Sequence, residues 1–170
     1  MSVIRQNVLT EKVKNSMIND FIVRATSLKP SLSYIDVDLL EKAILSGLPE
    51  DYDANDLLTY LSETASQFTY KSYDYALLAG RLEMLDLYKK TPDTFKEAMN
   101  SISSLLLPEF IEKINRLKLD DLIKEEHDFS YDIIGVRTLK RSYLLKNSEG
   151  KFVERPQYMS VSYTHLTLPT

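Results

Sequence analysis

Glycine is scarce in this chain, and that scarcity is the strongest constraint on its fold. Only four glycines occur in 170 residues, and the long stretches between them carry apolar residues at intervals of three and four. This spacing places the apolar side chains on one side of an α-helix. A mainly helical protein is therefore predicted, and Asp36 is expected to cap its second helix. The first four helices are predicted at 16–29, 37–47, 55–65 and 75–90.

Two short β-hairpins are predicted at either end of this helical pattern. The first would pair two strands around a turn near Val8, although a β-branched residue suits a tight turn poorly. Its apolar positions are Val3, Ile4, Val8, Leu9 and Val13. The second is predicted over 143–154, where two alternating runs lie on either side of a turn that contains Gly150.

A break near 91–93 divides the predicted elements. Lys89 and Lys90 occupy the last turn of the fourth helix, where they favour the negative end of the helix dipole, and Pro92 follows. A first domain is therefore predicted at 1–91. Beyond it, shorter helices are predicted at 94–107, 108–117, 120–126 and 136–141.

Composition excludes several classes of chemistry. The chain has no cysteine, so it has no disulfide, thiolate metal site or cysteine nucleophile of its own. With 21 lysines and arginines against 25 aspartates and glutamates, its formal net charge is −4, and no nucleic-acid-binding surface is predicted. No stretch approaches the roughly 18 apolar residues that a membrane span needs. A cytoplasmic protein without a metal site is expected.

Local motifs add little chemistry. No glycine-rich phosphate loop, paired-histidine motif or nucleophile elbow is present. His127 beside Asp128 could act as a general base with an orienting acid. Neighbours in sequence do not face each other on a helix, however, which favours an exposed histidine at a helix end. The acidic pair Glu125 and Glu126 is expected to be solvated.

Basic residues form one further candidate site. If the first hairpin packs against the end of the fourth helix, five basic side chains could converge on the phosphates of a nucleotide. They are Arg5, Lys12, Lys14, Lys89 and Lys90. The helix dipole and solubility also explain lysines at a helix end.

Four segments of the sequence resemble one enzyme family. The segment 74–82, DYALLAGRL, resembles the signature helix of the ATP-cone domain that precedes the catalytic barrel in ribonucleoside-diphosphate reductase large subunits. Three later segments resemble the part of those subunits that leads into the barrel, in the same order. They are DFSY at 128–131, TLKRSYLL at 138–145 and ERPQYM at 154–159. The resemblance covers residues 3–159.

The resemblance implies an enzyme that reduces ribonucleotides to deoxyribonucleotides for DNA synthesis by a cysteine-based radical. A separate small subunit delivers the radical, and the large subunits self-associate. Their ATP-cone, a short hairpin with four helices, binds ATP as activator or dATP as inhibitor. The catalytic thiols lie downstream of the matching part. This chain is thus expected to supply an ATP-cone-like domain at 1–91 and the start of the helical N-terminal region at 92–159, with no catalytic residue.

The resemblance places only part of the effector site on this chain. The family's opening VIKRDG aligns with VIRQNV, so Arg5 keeps the first basic position while a phosphate-facing glycine becomes Val8. The family's acid falls on Glu11, and the lysine at the end of the fourth helix falls on Lys89. Met17 replaces a nucleotide-contacting lysine. Lost charge-assisted bonds weaken a polyanion site, so the cone is expected to keep its fold and lose control by ATP and dATP.

Two further effector positions also differ from the family. A hydroxyl near the start of the third helix falls around Asp53 or Ala54, and a regulatory acid or histidine falls near Leu57 or Leu58. An acid at Asp53 would oppose the charge of a phosphate. Both differences favour a degenerate site.

The last residues match nothing in the family. Residues 160–170, SVSYTHLTLPT, resemble a recurrent translated read-through at the ends of assembled fragments, so they are expected to be foreign and His165 receives no role. The alternative to a reductase fragment is a stand-alone helical module that senses nucleotides or docks a partner. The genomic reading frame beyond codon 159 discriminates the two. Continuation into a barrel with cysteines favours the enzyme, and a stop after Thr170 favours the module.

Overall fold

The computed structural model describes the backbone of residues 2–48, 53 and 55–164, and the side chains from Asn15 onward within those ranges. Over these residues the chain is mainly helical, which confirms the predicted fold class at that level. Its α-helices are α1 (Ser2–Ser27), α2 (Val37–Gly47), α3 (Leu57–Ser66), α4 (Tyr73–Lys90), α5 (Phe95–Ser101), α6 (Pro108–Arg116), α7 (Ile133–Ser142) and α8 (Pro156–Ser162). The 3₁₀ segments Ser103–Leu105, Leu119–Leu122 and Glu125–Ser130 connect the later helices.

Helix α4 is the centre of the fold. Helices α3, α7 and α1 and the 3₁₀ segment Glu125–Ser130 all pack on it, so it is covered on most sides. A helix in that position must be apolar around most of its circumference. Its continuous buried run extends from Leu78 to Leu87 and includes three charged residues. Arg81, Glu83 and Asp86 each have a hydrogen-bonding or ionic partner, as burial of charge requires.

The second, third and fourth predicted helices are confirmed by α2, α3 and α4. Asp36 caps α2 as predicted, because its Oδ1 accepts the backbone N–H of Leu39 at 3.0 Å. Gly47 is the last residue of the same helix, and packing explains why it has no side chain. A β-carbon there would lie 2.7 Å from the Tyr60 hydroxyl oxygen, which donates its proton to the carbonyl of Ile44.

The cap of α2 yields a testable prediction. Asp36→Ala is expected to lower the free energy of unfolding by about 1 kcal/mol, because a backbone donor in the first turn loses its acceptor. Asp36→Asn keeps an acceptor oxygen and should restore most of the loss. Urea unfolding followed by circular dichroism measures the difference. Asp38→Ala, at an exposed residue in the same turn, is the control, and an equal loss there would contradict the capping role.

The first predicted hairpin is replaced by helix. Helix α1 runs unbroken through the positions of both expected strands and the turn between them. No glycine or proline lies between residues 2 and 27, and a two-residue turn that pairs strands needs positive φ, which Val8 adopts poorly. A continuous helix satisfies the same backbone groups locally. Helix α1 ends at Ser27, close to the predicted end before Pro30.

The second predicted hairpin is reduced to one antiparallel bridge between Lys146 and Phe152. Its turn contains the expected glycine, since Gly150 has a φ of 78°. The side chain of Asn147 accepts two backbone N–H groups inside the turn. These local bonds hold the turn without a longer ladder between strands.

The later helices differ from their predicted bounds in both directions. The stretch 94–107 divides into α5 and a 3₁₀ segment. It ends at Leu107, which precedes Pro108 and is extended, with ψ of 141°. Helix α6 matches its prediction, whereas 120–126 contains only 3₁₀ turns. Helix α7 begins three residues before the predicted 136, where Asp132 caps it by accepting the Gly135 N–H.

Two hydrophobic clusters form the core. The larger joins α1 through α4 and also takes in Phe129 and α7 residues such as Val136. The smaller joins α5 and α6 to the region of α8, with Phe95 and Tyr158 in edge-to-face contact at 5.8 Å. The larger cluster therefore extends well past residue 91. The division into 1–91, 92–159 and 160–170 stays a prediction.

Candidate functional site

A shallow cleft of about 270 Å³ lies beside the last turn of α4, between that turn, α1 and the backbone around residue 93. It is the place where the predicted effector residue Lys89 lies. The cleft is lined by Phe21, Arg24, Leu85, Tyr88, Lys89, Asp93, Glu125 and Arg155. Three basic and two acidic side chains thus share one small space, and their pairing decides which charges can attract a ligand.

Lys89 is exposed, and its Nζ lies 4.4 Å from the centre of the Phe21 ring on α1. A cation over an aromatic face is stabilised without losing its charge. Arg24 lies on the same side of α1, one turn after Phe21. Within the described part of the chain, neither Lys89 nor Arg24 forms an ion pair with an acidic side chain.

Arg155 is the third basic residue of the cleft and is 2% exposed. Its Nε donates to the Thr91 hydroxyl at 2.9 Å, its Nη1 donates to Glu125 at 3.0 Å, and its Nη2 donates to Asp93 at 3.3 Å. The guanidinium also stacks on the Tyr88 ring, with its central carbon 3.9 Å from the ring centre. The planar guanidinium has five N–H donors on three nitrogens and can reach all of these acceptors at once. A lysine has its three donors on one nitrogen and cannot.

These contacts make Arg155 a structural residue. Its charge is balanced by Glu125 and Asp93, and its donors are already used by the chain itself. It joins the start of α8 to the end of α4 and to the 3₁₀ segment Glu125–Ser130. Only Lys89 and Arg24 among the described cleft residues therefore offer unpaired positive charge to an anion.

Asp128 lies next to this arrangement and is fully buried. Its Oδ2 accepts the Tyr88 hydroxyl proton at 2.9 Å, while its Oδ1 has no hydrogen-bond partner among the described residues. Burial raises the pKa of Asp128 to about 7, against the opposing effects of the Tyr88 hydroxyl, the Gln157 backbone and Arg155. Burial and the nearby Asp128 also raise the pKa of Tyr88 above its ordinary range.

The structure describes only part of the predicted basic site. The side chains of Arg5, Glu11, Lys12 and Lys14 lie outside the described part of the chain, so the predicted site is described only at Lys89 and Lys90. Lys90 turns away from the cleft. Its Nζ pairs with Asp86 Oδ2 at 2.8 Å, one turn back on α4.

The other effector positions take structural roles. Leu57 and Leu58 are each 1% exposed and belong to the core, so neither can touch a bound nucleotide. Asp53 forms a turn before α3, where its carboxylate accepts the Asn55 N–H and its carbonyl accepts the Asp56 N–H.

The signature segment 74–82 also has a structural explanation. Asp74 Oδ2 accepts the N–H groups of Ser33 and Tyr34, at 2.8 and 2.9 Å, and the Tyr75 hydroxyl accepts the N–H of Asp36 at 3.0 Å. These bonds fasten the loop between α1 and α2 to the first turn of α4. An irregular loop has no regular ladder for its backbone donors, and these side-chain acceptors take that place.

Gly80 and Arg81 position the chain around Phe129 and Tyr131 against α4. A β-carbon on Gly80 would overlap the Tyr131 carbonyl oxygen and would lie 2.7 Å from the carbonyl carbon of Asp132. Arg81 is 0% exposed and donates to the carbonyls of Ala25, at 2.9 Å, and Phe129, at 3.2 Å. It also donates to the carbonyls of Leu28 and Pro30.

Sequence reasoning missed the roles of Asp128 and Arg155. Asp128 was expected beside an exposed His127, and the histidine is indeed exposed, but Asp128 points into the core toward Tyr88. Glu125 was expected to be solvated, and although it is half exposed it holds Arg155. The family resemblance did mark both residues, since each lies in one of the segments that resemble the family. Their partners lie 30 to 64 positions away and have no local pattern.

Neither a membrane span nor a metal cluster is found where the structure describes the chain. No helix in that part is long and apolar enough to cross a bilayer. No three acidic or histidine side chains there are grouped so that they could hold a metal ion.

Comparison with known proteins gives one consistent result. No protein-family model matches the chain. It is 34% identical over 74% of its length to the ribonucleoside-diphosphate reductase large subunit of Danio rerio, and 31% identical over 94% to that of Dictyostelium discoideum. The large subunit of Variola virus is also 31% identical over 94% of the chain. The matches cover 17%, 20% and 22% of those proteins, so the chain spans about a fifth of the relatives it matches.

Proposed function

The chain belongs to the ribonucleoside-diphosphate reductase large-subunit family, and from that premise we propose that it is the N-terminal part of such a subunit. In this role it contributes a helical framework and no catalytic centre. The complete subunit would reduce ribonucleotides to deoxyribonucleotides in the cytoplasm. It would work with a radical-supplying small subunit and with further copies of itself.

One observation carries this proposal: the four segments that resemble the family meet on α4. The segment 74–82 is part of α4, and Arg81 bonds the carbonyl of Phe129 in the second segment. Lys140, in the third segment, forms an ion pair with Glu83, and Arg155, in the fourth, bonds Thr91 just past the end of the helix. Sequence likeness therefore coincides with a single packed arrangement.

The absence of cysteine limits what this part can do. The chemistry that the family resemblance implies uses a cysteine radical and a redox dithiol, and the 170 residues contain no cysteine. The proposed role of this part is therefore to support the structure of the subunit. Sequencing the genomic reading frame past codon 159 tests the proposal, which requires a continuation that encodes a cysteine-containing barrel.

We further propose that the ATP-cone function of residues 1–91 is degenerate. Helix α1 occupies the positions of the effector hairpin, and Leu57 and Leu58 are buried in the core. Arg155 is neutralised by acids, which leaves Arg24 and Lys89 as the described unpaired cations of the cleft. Two exposed cations are few for a triphosphate, which binds through several charge-assisted bonds and backbone donors.

Isothermal titration calorimetry tests the loss of effector binding. Titration of ATP or dATP into the 170-residue chain is expected to give no dissociation constant in the micromolar range, because the described residues of the cleft offer few charge-assisted contacts to a phosphate. Lys89→Ala serves as the matched control for any residual heat, since it removes an exposed cation without touching the core. Micromolar binding that is lost in Lys89→Ala would overturn the proposal of a degenerate cone.

A further inference from the structure

The 3₁₀ segment Glu125–Ser130 is held to the rest of the protein at three points. Glu125 accepts a hydrogen bond from Arg155 Nη1, and Asp128 accepts one from the Tyr88 hydroxyl. The carbonyl of Phe129 accepts a hydrogen bond from Arg81 Nε. The Phe129 ring also packs on Tyr88, with ring centres 5.1 Å apart. Short 3₁₀ segments have weak internal bonds, so these external contacts hold the segment in place.

The contact at Asp128 is the unusual one. Its carboxyl group is 0% exposed, and one of its two oxygens accepts no well-aligned hydrogen bond from the described residues. Glu83 and Asp86 also each have one such oxygen, but each pairs with a lysine, whereas no described cation forms an ion pair with Asp128. A buried carboxylate that is ionised needs bonds to both oxygens, and an incomplete set makes its charged form costly. The protonated form carries no charge, so its burial costs less free energy than burial of the ionised form. The site therefore suits a neutral carboxyl better than an ionised one.

The charged and titratable groups around Asp128 come from each element packed against it. Helix α4 contributes Tyr88, the residue before α8 contributes Arg155, and the segment itself contributes Glu125. The backbone of Gln157 in α8 also faces Asp128 and favours its ionised form. Arg155 favours the ionised form of Asp128, but its guanidinium is already paired with Glu125 and Asp93. Glu125 opposes ionisation. Among the described residues that act on Asp128, the single cation is thus Arg155, whose charge is shared with Glu125 and Asp93.

We propose that Asp128 is a proton-controlled latch, which holds the segment Glu125–Ser130 against α4 and α8 when neutral and releases it when ionised. Release would separate Glu125 from Arg155 and remove one wall of the cleft beside Lys89. The segment would then open as a unit, because its three ties lie within six consecutive residues. The latch makes the cleft sensitive to pH without any ligand.

The sign of the pH effect follows from the two states of the carboxyl. Burial raises the pKa of Asp128 to about 7 in the closed state, whereas a solvated aspartate has a pKa of about 3.9. Between these values the closed state binds more protons than the open state, so opening becomes more favourable as pH rises. Opening should increase by up to about tenfold per pH unit in this range and level off above pH 7.

Amide hydrogen exchange, measured by NMR on the full 170-residue chain, tests the latch. Protection factors, which correct for the intrinsic effect of pH on exchange, are expected to fall for residues 125–130 between pH 5 and 7 and then to level off. Asp128→Asn keeps an acceptor for Tyr88 and cannot ionise, so its protection factors should not change with pH. Glu154→Gln is the matched control for removing the charge of a buried carboxyl elsewhere in the chain. Glu154 is also a buried carboxyl whose pKa is raised by burial, but Leu145 and Ser162 bond both of its oxygens.

Tyr88→Phe provides a second and directional test. The Tyr88 hydroxyl stabilises the ionised form of Asp128, so its removal should raise the Asp128 pKa and move the end of the pH-dependent range upward. Carbon NMR of the Asp128 carboxyl in the wild-type chain reports that pKa directly and does not depend on any variant that fails to fold. Protection factors that stay constant between pH 5 and 7, or a carboxyl pKa near 4, would overturn the proposal. So would a pH dependence that persists in Asp128→Asn.

Discussion

Arg81→Met is expected to lower the free energy of unfolding by about 3–5 kcal/mol. Arg81 is completely buried, and its donors satisfy the carbonyls of Ala25, Leu28 and Pro30 at and after the end of α1, as well as that of Phe129. The last carbonyls of a helix have no partner within the helix. Methionine fills a similar volume but donates no hydrogen bond, so four acceptors would lose their donor in the core.

Urea unfolding followed by far-ultraviolet circular dichroism measures this loss. Arg81→Lys should retain little of the stability, because an ammonium group has three donors on one atom and cannot span acceptors on two sides of α4. Arg137→Met, at an exposed arginine of α7, is the matched control and should change stability by less than about 0.5 kcal/mol. A loss below 1 kcal/mol in Arg81→Met would show that water replaces the guanidinium and that the capping role is wrong.

Gly80→Ala is expected to destabilise the chain by about 2–3 kcal/mol, although alanine is the better helix former by about 1 kcal/mol. The added methyl group would overlap the backbone at Tyr131 and Asp132, which passes over α4 at this point. Backbone cannot rotate away as the tip of a side chain can. The change would force α4 apart from the segment that leads into α7, and would weaken the larger hydrophobic cluster.

Gly135→Ala offers a matched control for Gly80→Ala. It places the same methyl group in a helix, but the nearest atoms lie at 3.3 and 3.4 Å and belong to the side chains of Asp132 and Tyr131. Its effect on stability should be less than about 1 kcal/mol. Thermal unfolding of both variants and of the wild type gives the comparison. Equal effects would mean that the close approach at Gly80 is not what limits the residue to glycine.

These two residues show what the sequence could and could not predict about the site. DYALLAGRL was identified by resemblance, and the resemblance implied a nucleotide-binding domain. The structure shows that Asp74 and Arg81 fasten α4 to the loop after α1 and to the chain around Phe129, and that Gly80 lets the backbone at Tyr131 pass close to α4. A motif can therefore mark a point of packing as readily as a ligand site. Nothing in the motif itself distinguishes the two.

The helices were predictable where their signals were local. Apolar residues three and four apart, a capping aspartate at Asp36 and a proline after Lys90 all act within one or two turns. The first hairpin was wrong because short β-branched runs fit a strand or a helix, and pairing with a distant element decides between them. The second hairpin was only partly right, since one bridge forms where a ladder was expected.

Local sequence patterns were enough to predict a mainly helical chain without cysteine chemistry, the positions of α2, α3 and α4, and a resemblance to reductase large subunits. The roles of Arg81 and Arg155 as internal fasteners, and the burial of Asp128 against Tyr88, became evident only in the folded chain. This difference arises from distance along the chain. Helix periodicity and caps depend on neighbours within four residues, whereas the burial and pairing of a charge depend on partners dozens of residues away.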